Sequence, residues 1–391
     1  MEIPHEFDDI RPYTDQELPK VIDELTKDEH FQKVIGIVFP DIPYEAFVHK
    51  AKSCKTALDF QKAFCYPFLK KLMAEKSTGL RMECSPLDKT GNYTFISNHR
   101  DIVLDSALLS LLLLENGFGQ TSEIAIGDNL LIYPWIEKLV RVNKSFIVHR
   151  GLTIRQQLQS SIQISNYIHY AVQKKKENIW IAQRQGRAKD SNDITQRSII
   201  KMFGLGGEGN LIDRLKQLNL VPLAISYEFD PCDFLKAKEF QQRRDNPDFH
   251  KAPDDDLVNM KTGIFGFKGE VVYKTAPCLN PWLDTIDPST PNNDVYLLLR
   301  DRINAEIHKN YVLWPNYYVA ADLLSGSTRW GDKGKYNDSE KKAFEDYVAQ
   351  RIALVDLPNP DYDYLRHMIL LMYANPLFNY YKAIENPNIS E

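Results

Sequence analysis

Residues 93–114 read YTFISNHRDIVLDSALLSLLLL: a short apolar run, a polar turn, then a longer apolar stretch that Asp105 interrupts. The first run is rich in β-formers, and the stretch from Ile102 to Leu114 has the length and texture of a helix. The same texture recurs downstream. SEIAIG (122–127), SFIVHR (145–150), NIWIAQ (178–183) and VPLAISYEF (221–229) alternate with segments of helical periodicity. The clearest of these runs from Thr153 to Lys176, where Ile154, Leu158, Ile162, Ile168 and Val172 form one 3.6-period stripe. This alternation predicts an α/β fold, a largely parallel sheet flanked by helices. Right-handed crossovers then bring the C-terminal ends of the strands, and the loops that leave them, to one edge.

Outward from this core, residues 1–90 read as a helical N-terminal region, with helix starts at Thr14-Asp15 and Thr26-Lys27-Asp28 and breaks at Pro40, Pro43 and Pro67. Residues 91–280 are assigned to the α/β domain and 281–391 to a helical C-terminal region rich in Tyr and Trp. Its most apolar piece is LRHMILLMYANPLFNYY (365–381). Residues 231–260 turn polar, with QQRRDNPDFHKAPDDD at 241–256, and predict a solvated insertion or linker. GIFGFKGEVVY (263–273) predicts a hairpin turning near Gly266 or Gly269.

The formal net charge of −5 argues against a dedicated nucleic-acid binder, which carries a basic footprint. The cysteines at 54, 65, 84, 232 and 278 are odd in number and lack CxxC spacing. They predict a reducing compartment, with neither a disulfide framework nor a zinc site. MEIPHEFDDIRPYTD lacks the basic-then-apolar pattern of a signal peptide, and no run approaches the roughly 20 apolar residues of a spanning helix. The chain is expected to sit on a membrane rather than cross it. Lys70-Lys71, Lys174-Lys175-Lys176 and the aromatic C-terminal helices are candidate contacts, although lysine runs are more often solvated faces.

The chemistry concentrates in Ser97-Asn98-His99-Arg100-Asp101-Ile102-Val103-Leu104-Asp105-Ser106. A histidine in a polar loop between a strand and a helix stands where open sheets place reactive groups. It acts as a general base near neutral pH if a carboxylate fixes its tautomer, and Asp101 and Asp105 both compete for that position. The bland reading is a surface histidine beside a helix cap. The HRD triplet and Gly204-Leu205-Gly206-Gly207-Glu208-Gly209 match fragments of kinase and dinucleotide motifs, but their order and context are wrong, and the glycines read as a helix end and turn. Arg150, Arg187 and Lys189 fall at strand ends on the edge expected to carry His99. A base surrounded by permanent cations suits a phosphate-bearing substrate.

Four blocks in order complete the pattern: His99 with its Asp, then Gly127-Asp128-Asn129-Leu130 with Phe146-Ile147-Val148-His149-Arg150, then Gln185-Gly186-Arg187, then Val221-Pro222-Leu223-Ala224-Ile225-Ser226-Tyr227-Glu228. Over residues 90–230 the chain resembles the glycerol-3-phosphate and 1-acylglycerol-3-phosphate acyltransferase superfamily. It departs from the family's pattern twice. Leu104 occupies the family's Asp position, with Asp105 one residue later, and Gln185 stands where the family has Glu, with Arg187 one place early and Ala188 in the Arg slot. Asp105 is favoured over Asp101 because it lies at the helix start. The resemblance implies a membrane-associated acyltransferase of phospholipid synthesis. An acyl group would pass from acyl-CoA or acyl-ACP to a hydroxyl of glycerol 3-phosphate or its 1-acyl derivative, a lysophospholipid acceptor, at the cytoplasmic membrane face. His99 and Asp105 would be catalytic, Arg150, Arg187 and Lys189 would hold the acceptor phosphate, and backbone near Gly186 would steady the oxyanion. No metal or redox cofactor is required. An acceptor without phosphate and a non-catalytic lipid-binding relative remain the alternatives. Ala107–Leu114 is either an acyl-chain slot or plain core helix.

Overall fold

A computed structural model describes residues 3–252 and 254–385. Residues 1–2, 253 and 386–391 lie outside it, so the tips of both terminal regions and one position of the polar 241–256 stretch are not described. The strands are β1 (Gly79–Glu83), β2 (Thr94–Ser97), β3 (Ser122–Gly127), β4 (Ser145–Val148), β5 (Asn178–Ala182), β6 (Leu220–Tyr227) and β7 (Glu270–Thr275). They form one sheet in the order β1-β7-β6-β2-β5-β3-β4. Pairing is parallel except between β6 and β7. The α/β reading, with a largely parallel sheet and helices on its faces, therefore describes the molecule. Ser97 at the end of β2 pairs with Ala182 on one side and Leu223 on the other, so the loops leaving these strands begin side by side.

Period-2 alternation gives the sheet two cores. Phe95, Trp180, Val221, Leu223, Ile225, Tyr227, Val271 and Tyr273 face one layer, covered by the Tyr66–Lys76 and Leu104–Glu115 helices. Ile96, Ile179, Ile181, Leu220 and Ala224 face the other, covered by the Ile154–Tyr170 and Asn292–Lys309 helices. Each fully buried side chain of this kind contributes about 1.5–3 kcal/mol of transfer free energy. The N-terminal helices enclose a smaller core of their own, as do the C-terminal ones.

Three expectations are corrected. The 263–273 hairpin does not form: residues Asp255–Phe265 are a helix, and β7 pairs with β6 instead. Within this helix Gly263 packs directly on Asp101; a Cβ at 263 would lie 1.9 Å from Asp101 Oδ2, so the position requires glycine. Nor is 231–260 a linker, since the Asp233–Asp245 helix buries Asp233, Lys236, Glu239 and Gln241. At the helix's buried positions polarity is met by partners: Asp233 accepts from Arg351 and Tyr347, and Lys236 pairs with Asp230. Residues 243–248 are exposed to water, as expected. Finally, the apolar stripe on the Ile154–Tyr170 helix is buried at Ile168 and in the following turn at Val172, but Ile154 is 88% exposed and Leu158 56%. A helix of 17 residues extends about 25 Å, whereas the four residues of β4 reach about 13 Å. The first turns outrun the sheet.

Candidate active site

The loop after β2 is pinned before it reaches His99. The Asn98 side chain extends the β2–β6 ladder by one step: Nδ2 donates to the Ile225 carbonyl and Oδ1 accepts from the Ile225 amide, both at 2.8 Å. Beyond it, Asp101 and Asp105 take different tasks. Asp101 Oδ1 accepts from the amides of Val103 (2.9 Å) and Leu104 (2.8 Å) and so caps the Leu104–Glu115 helix. Asp105 Oδ2 accepts from His99 Nδ1 at 2.8 Å and from the amides of Arg100 (2.6 Å) and Asp101 (3.1 Å). The cap starts the helix at Leu104, which is buried in the core, and the next position turns back to His99. This is how two residues six apart in sequence form a His–Asp pair.

A carboxylate can only accept, so Nδ1 of His99 carries the proton and Nε2 keeps its lone pair. Nε2 has no partner among the described residues. The ring stands edge-on to Trp180, with centroids 5.6 Å apart, and Trp180 is itself fixed by an Nε1–H bond to Ser97 Oγ at 3.0 Å. The side chain of His99 is 13% exposed and that of Asp105 is 0%. A tautomer held from below with a basic nitrogen open above can take a proton from an incoming hydroxyl.

Cations reach the same edge from β4 and β5. Arg150 follows β4 and lies across the end of β3, with Nε 3.1 Å from where a Cβ on Gly127 would stand. Its guanidinium has no ion pair among the described residues, and burial presses its pKa below the arginine norm with only partial opposition from Asp128. Arg184, which the sequence reading leaves without a role, lies two residues after β5, and its Nε is buried without a hydrogen-bond partner. Arg187 donates to Asn259 Oδ1 at 3.0 Å and keeps Nη1 buried and unpartnered. Gly186 turns the chain in the left-handed region (φ 71°) and is exposed. Lys189 differs from the arginines. It is paired with Glu239 of the 233–245 helix, so its charge is answered within the protein.

The insertion between β6 and β7 closes over this edge because both strands open there. Besides Asn259 and Gly263, it brings Lys236, whose Nζ donates to the Arg100 carbonyl at 3.3 Å. Lys268 is fully buried, donates to the carbonyls of Ile264 and Gly266, and is lowered to about 8 by burial, with Asp101 opposing. Asp101 is raised by burial first and by the Asp105 charge second. On the other side, Arg100 forms a buried ion pair with Asp193 at 2.8 Å. No sequence signal links residues so far apart as 187 and 259 or 100 and 193.

Other expectations resolve differently. Leu108, Leu109, Leu111, Leu112 and Leu113 are all buried in the core layer, so this run is core helix. Lys70 pairs with Glu115 and Lys175 with Glu123; in the Tyr362–Ile384 helix Leu365, Ile369, Leu370 and Leu377 are buried, whereas Tyr362, Phe378 and Ile384 are exposed. Exposed large apolar groups also include Ile132 and Tyr133 after β3, and Ile154, Leu158 and Ile162 after β4. Among the described residues no helix is long and apolar enough to cross a membrane.

No family model matches the chain, and no curated protein matches it either. Among solved structures, the 1-acyl-sn-glycerophosphate (LPA) acyltransferase PlsC from Thermotoga maritima is similar to 74% of this chain and 94% of its own, at 14% identity and a TM-score of 0.36.

Proposed function

We propose that the protein is an acyltransferase that moves an acyl group from a thioester, acyl-CoA or acyl-ACP, to a hydroxyl of a phosphate-bearing acceptor of the glycerol 3-phosphate or lysophospholipid class. The observation that carries this reading is the His99–Asp105 pair, with Nε2 open, on an edge where the guanidinium groups of Arg150 and Arg184 have no ion pair among the described residues. His99 Nε2 takes the hydroxyl proton as the acceptor oxygen attacks the thioester carbonyl carbon. The tetrahedral intermediate then breaks its C–S bond, and the departing sulfur receives that proton from His99. No acyl-enzyme is formed. Arg150, Arg184 and Arg187 hold the phosphate, and exposed backbone at Gly186 faces the developing oxyanion.

Arginine contacts to phosphate are charge-assisted hydrogen bonds, each contributing about 1.5–3 kcal/mol. Arg150→Ala is therefore expected to raise the acceptor KM by about 10–100-fold, with a smaller change in kcat. Lys189→Ala, whose charge already meets Glu239, should move the acceptor KM far less. Steady-state kinetics with the acceptor varied reads both. Equal sensitivity at positions 150 and 189 would contradict this assignment of the phosphate site.

The same reading places the protein peripherally on the cytoplasmic membrane face. Ile132, Tyr133, Ile154, Leu158 and Ile162 would contact the bilayer beside the edge where acyl chains must enter. The double variant Ile154→Asp/Leu158→Asp should lose most sedimentation with anionic phospholipid vesicles without a change in thermal unfolding. Undiminished sedimentation would assign membrane contact to another face.

A further inference from the structure

Trp180 stands in the middle of β5, opposite Phe95 of β2, and both side chains belong to the layer that the Leu104–Glu115 helix covers. Ser97 lies two residues beyond Phe95 and so shares that face. The indole does not stay level with its own Cα. Its Nε1 donates to Ser97 Oγ at 3.0 Å, so the side chain runs along the sheet by about 7 Å, the length of two strand residues, toward the edge that carries His99. Ser97 Oγ in turn donates to the Asn98 carbonyl at 2.7 Å. Its one hydrogen is thereby engaged, and the oxygen is left to accept the indole N–H. All three residues are buried.

A buried indole N–H takes an acceptor in any core. What is particular here is where the ring then comes to rest, with its plane at 70° to that of His99 and the centroids 5.6 Å apart. The imidazole is otherwise held at one corner, by the bond from Nδ1 to Asp105 Oδ2. That bond selects the tautomer. A ring held at one corner still swings about it, and the swing is largest on the far side, at Nε2. Catalytic groups need to be held within about 0.5 Å and 10–20° of their productive geometry. Asp105 supplies charge and tautomer; the angle of the ring has to come from a second contact, and the ring packed against His99 is Trp180.

We propose that Trp180, anchored by Ser97, is a positioning residue of this site: the indole braces the His99 ring and sets the direction in which Nε2 points. The kinetic consequence rests on the acyl-transfer reading above; the brace itself does not.

The test is a double-mutant cycle in the full-length protein. Trp180→Phe keeps an aromatic ring without the N–H, and Ser97→Ala keeps the indole without its acceptor. Each should lower kcat about tenfold, as expected for a displacement below about 1 Å, with the acceptor KM changed less than about twofold. Because Ser97 acts through the indole, the double variant should be no slower than Trp180→Phe alone. Losses that multiply would mean that Ser97 acts through the Asn98 carbonyl instead, and would overturn the proposal. An unchanged kcat in Ser97→Ala would do the same.

Proton NMR reads the brace without substrate. His99→Ala identifies the carbon-bound ring protons of His99 among those of the nine histidines. In the wild type the indole ring current should displace them. In Ser97→Ala and in Trp180→Phe they should move toward the positions of a solvated histidine, with the circular-dichroism spectrum unchanged. Each variant carries this readout alone, should the other fail to fold. Ring protons that stay in place overturn the proposal whatever happens to the rate. Ring protons that move, in a protein that acylates no acceptor, would uphold the brace and instead reject the acyl-transfer reading.

Discussion

Replacing His99 by alanine is expected to lower kcat for acyl transfer by about 10²–10⁴-fold, the range for loss of a positioned general base. The acceptor KM should stay near its wild-type value, because the arginines assigned to the phosphate lie after β4 and β5. The fold should survive. Asn98 still anchors the loop through both of its bonds to Ile225, and Asp105 still accepts from the amides of Arg100 and Asp101. What disappears is one ring, packed edge-on to Trp180, and its single bond to Asp105. Steady-state kinetics with a circular-dichroism melt alongside separates the outcomes. A small rate loss with an intact melt would mean that the hydroxyl loses its proton elsewhere.

The second large effect concerns stability. Asp193→Ala is expected to cost about 3–5 kcal/mol, because it leaves the Arg100 guanidinium buried without its carboxylate. Arg100 is 6% exposed and Asp193 1%, and their 2.8 Å contact is reinforced by the Tyr311 hydroxyl, which donates to the same carboxylate oxygen at 2.7 Å. His308 Nε2 also donates to the Asp193 carbonyl, tying this loop to the Asn292–Lys309 helix. Arg100 directly follows His99, so the loss should appear in activity before global unfolding. The Arg100→Met/Asp193→Leu pair should recover much of the stability, since replacing both members of a buried ion pair removes the uncompensated charge. Urea unfolding of the single and double variants measures this. A single variant within 1 kcal/mol of wild type would show that water enters and solvates Arg100.

The extent to which the molecule was legible from its residues follows the range of the interactions concerned. The strands read from YTFIS, SEIAIG, SFIVHR, NIWIAQ and VPLAISYEF all form, because short apolar runs between helical segments are a local signal. β1 carries no such signal: GLRME is half-exposed, mixes charge with apolar residues and lies within a stretch of helical texture. β7 was placed in a strand pair of its own, since nothing local announces that its partner lies more than 40 residues earlier in the chain. His99 and Asp105 were legible together because a helix start fixes their relation over six residues. Lys189 was not, because its partner Glu239 comes from a helix whose polar sequence reads as solvated. The stripe beginning at Ile154 shows the converse error, since periodicity identifies a face but not how far the sheet beneath it extends.

The central claim is that His99 activates a hydroxyl of a phosphorylated acceptor toward a thioester, and its most direct test is mass-spectrometric product analysis. The purified protein would be incubated with acyl-CoA or acyl-ACP and, in parallel, with glycerol 3-phosphate, 1-acylglycerol 3-phosphate and glycerol, with His99→Ala alongside. The account requires a new ester on one of the phosphorylated acceptors, release of one thiol per ester, and no such product from glycerol or from the variant. An ester formed equally well on glycerol, or formed undiminished by His99→Ala, would contradict it.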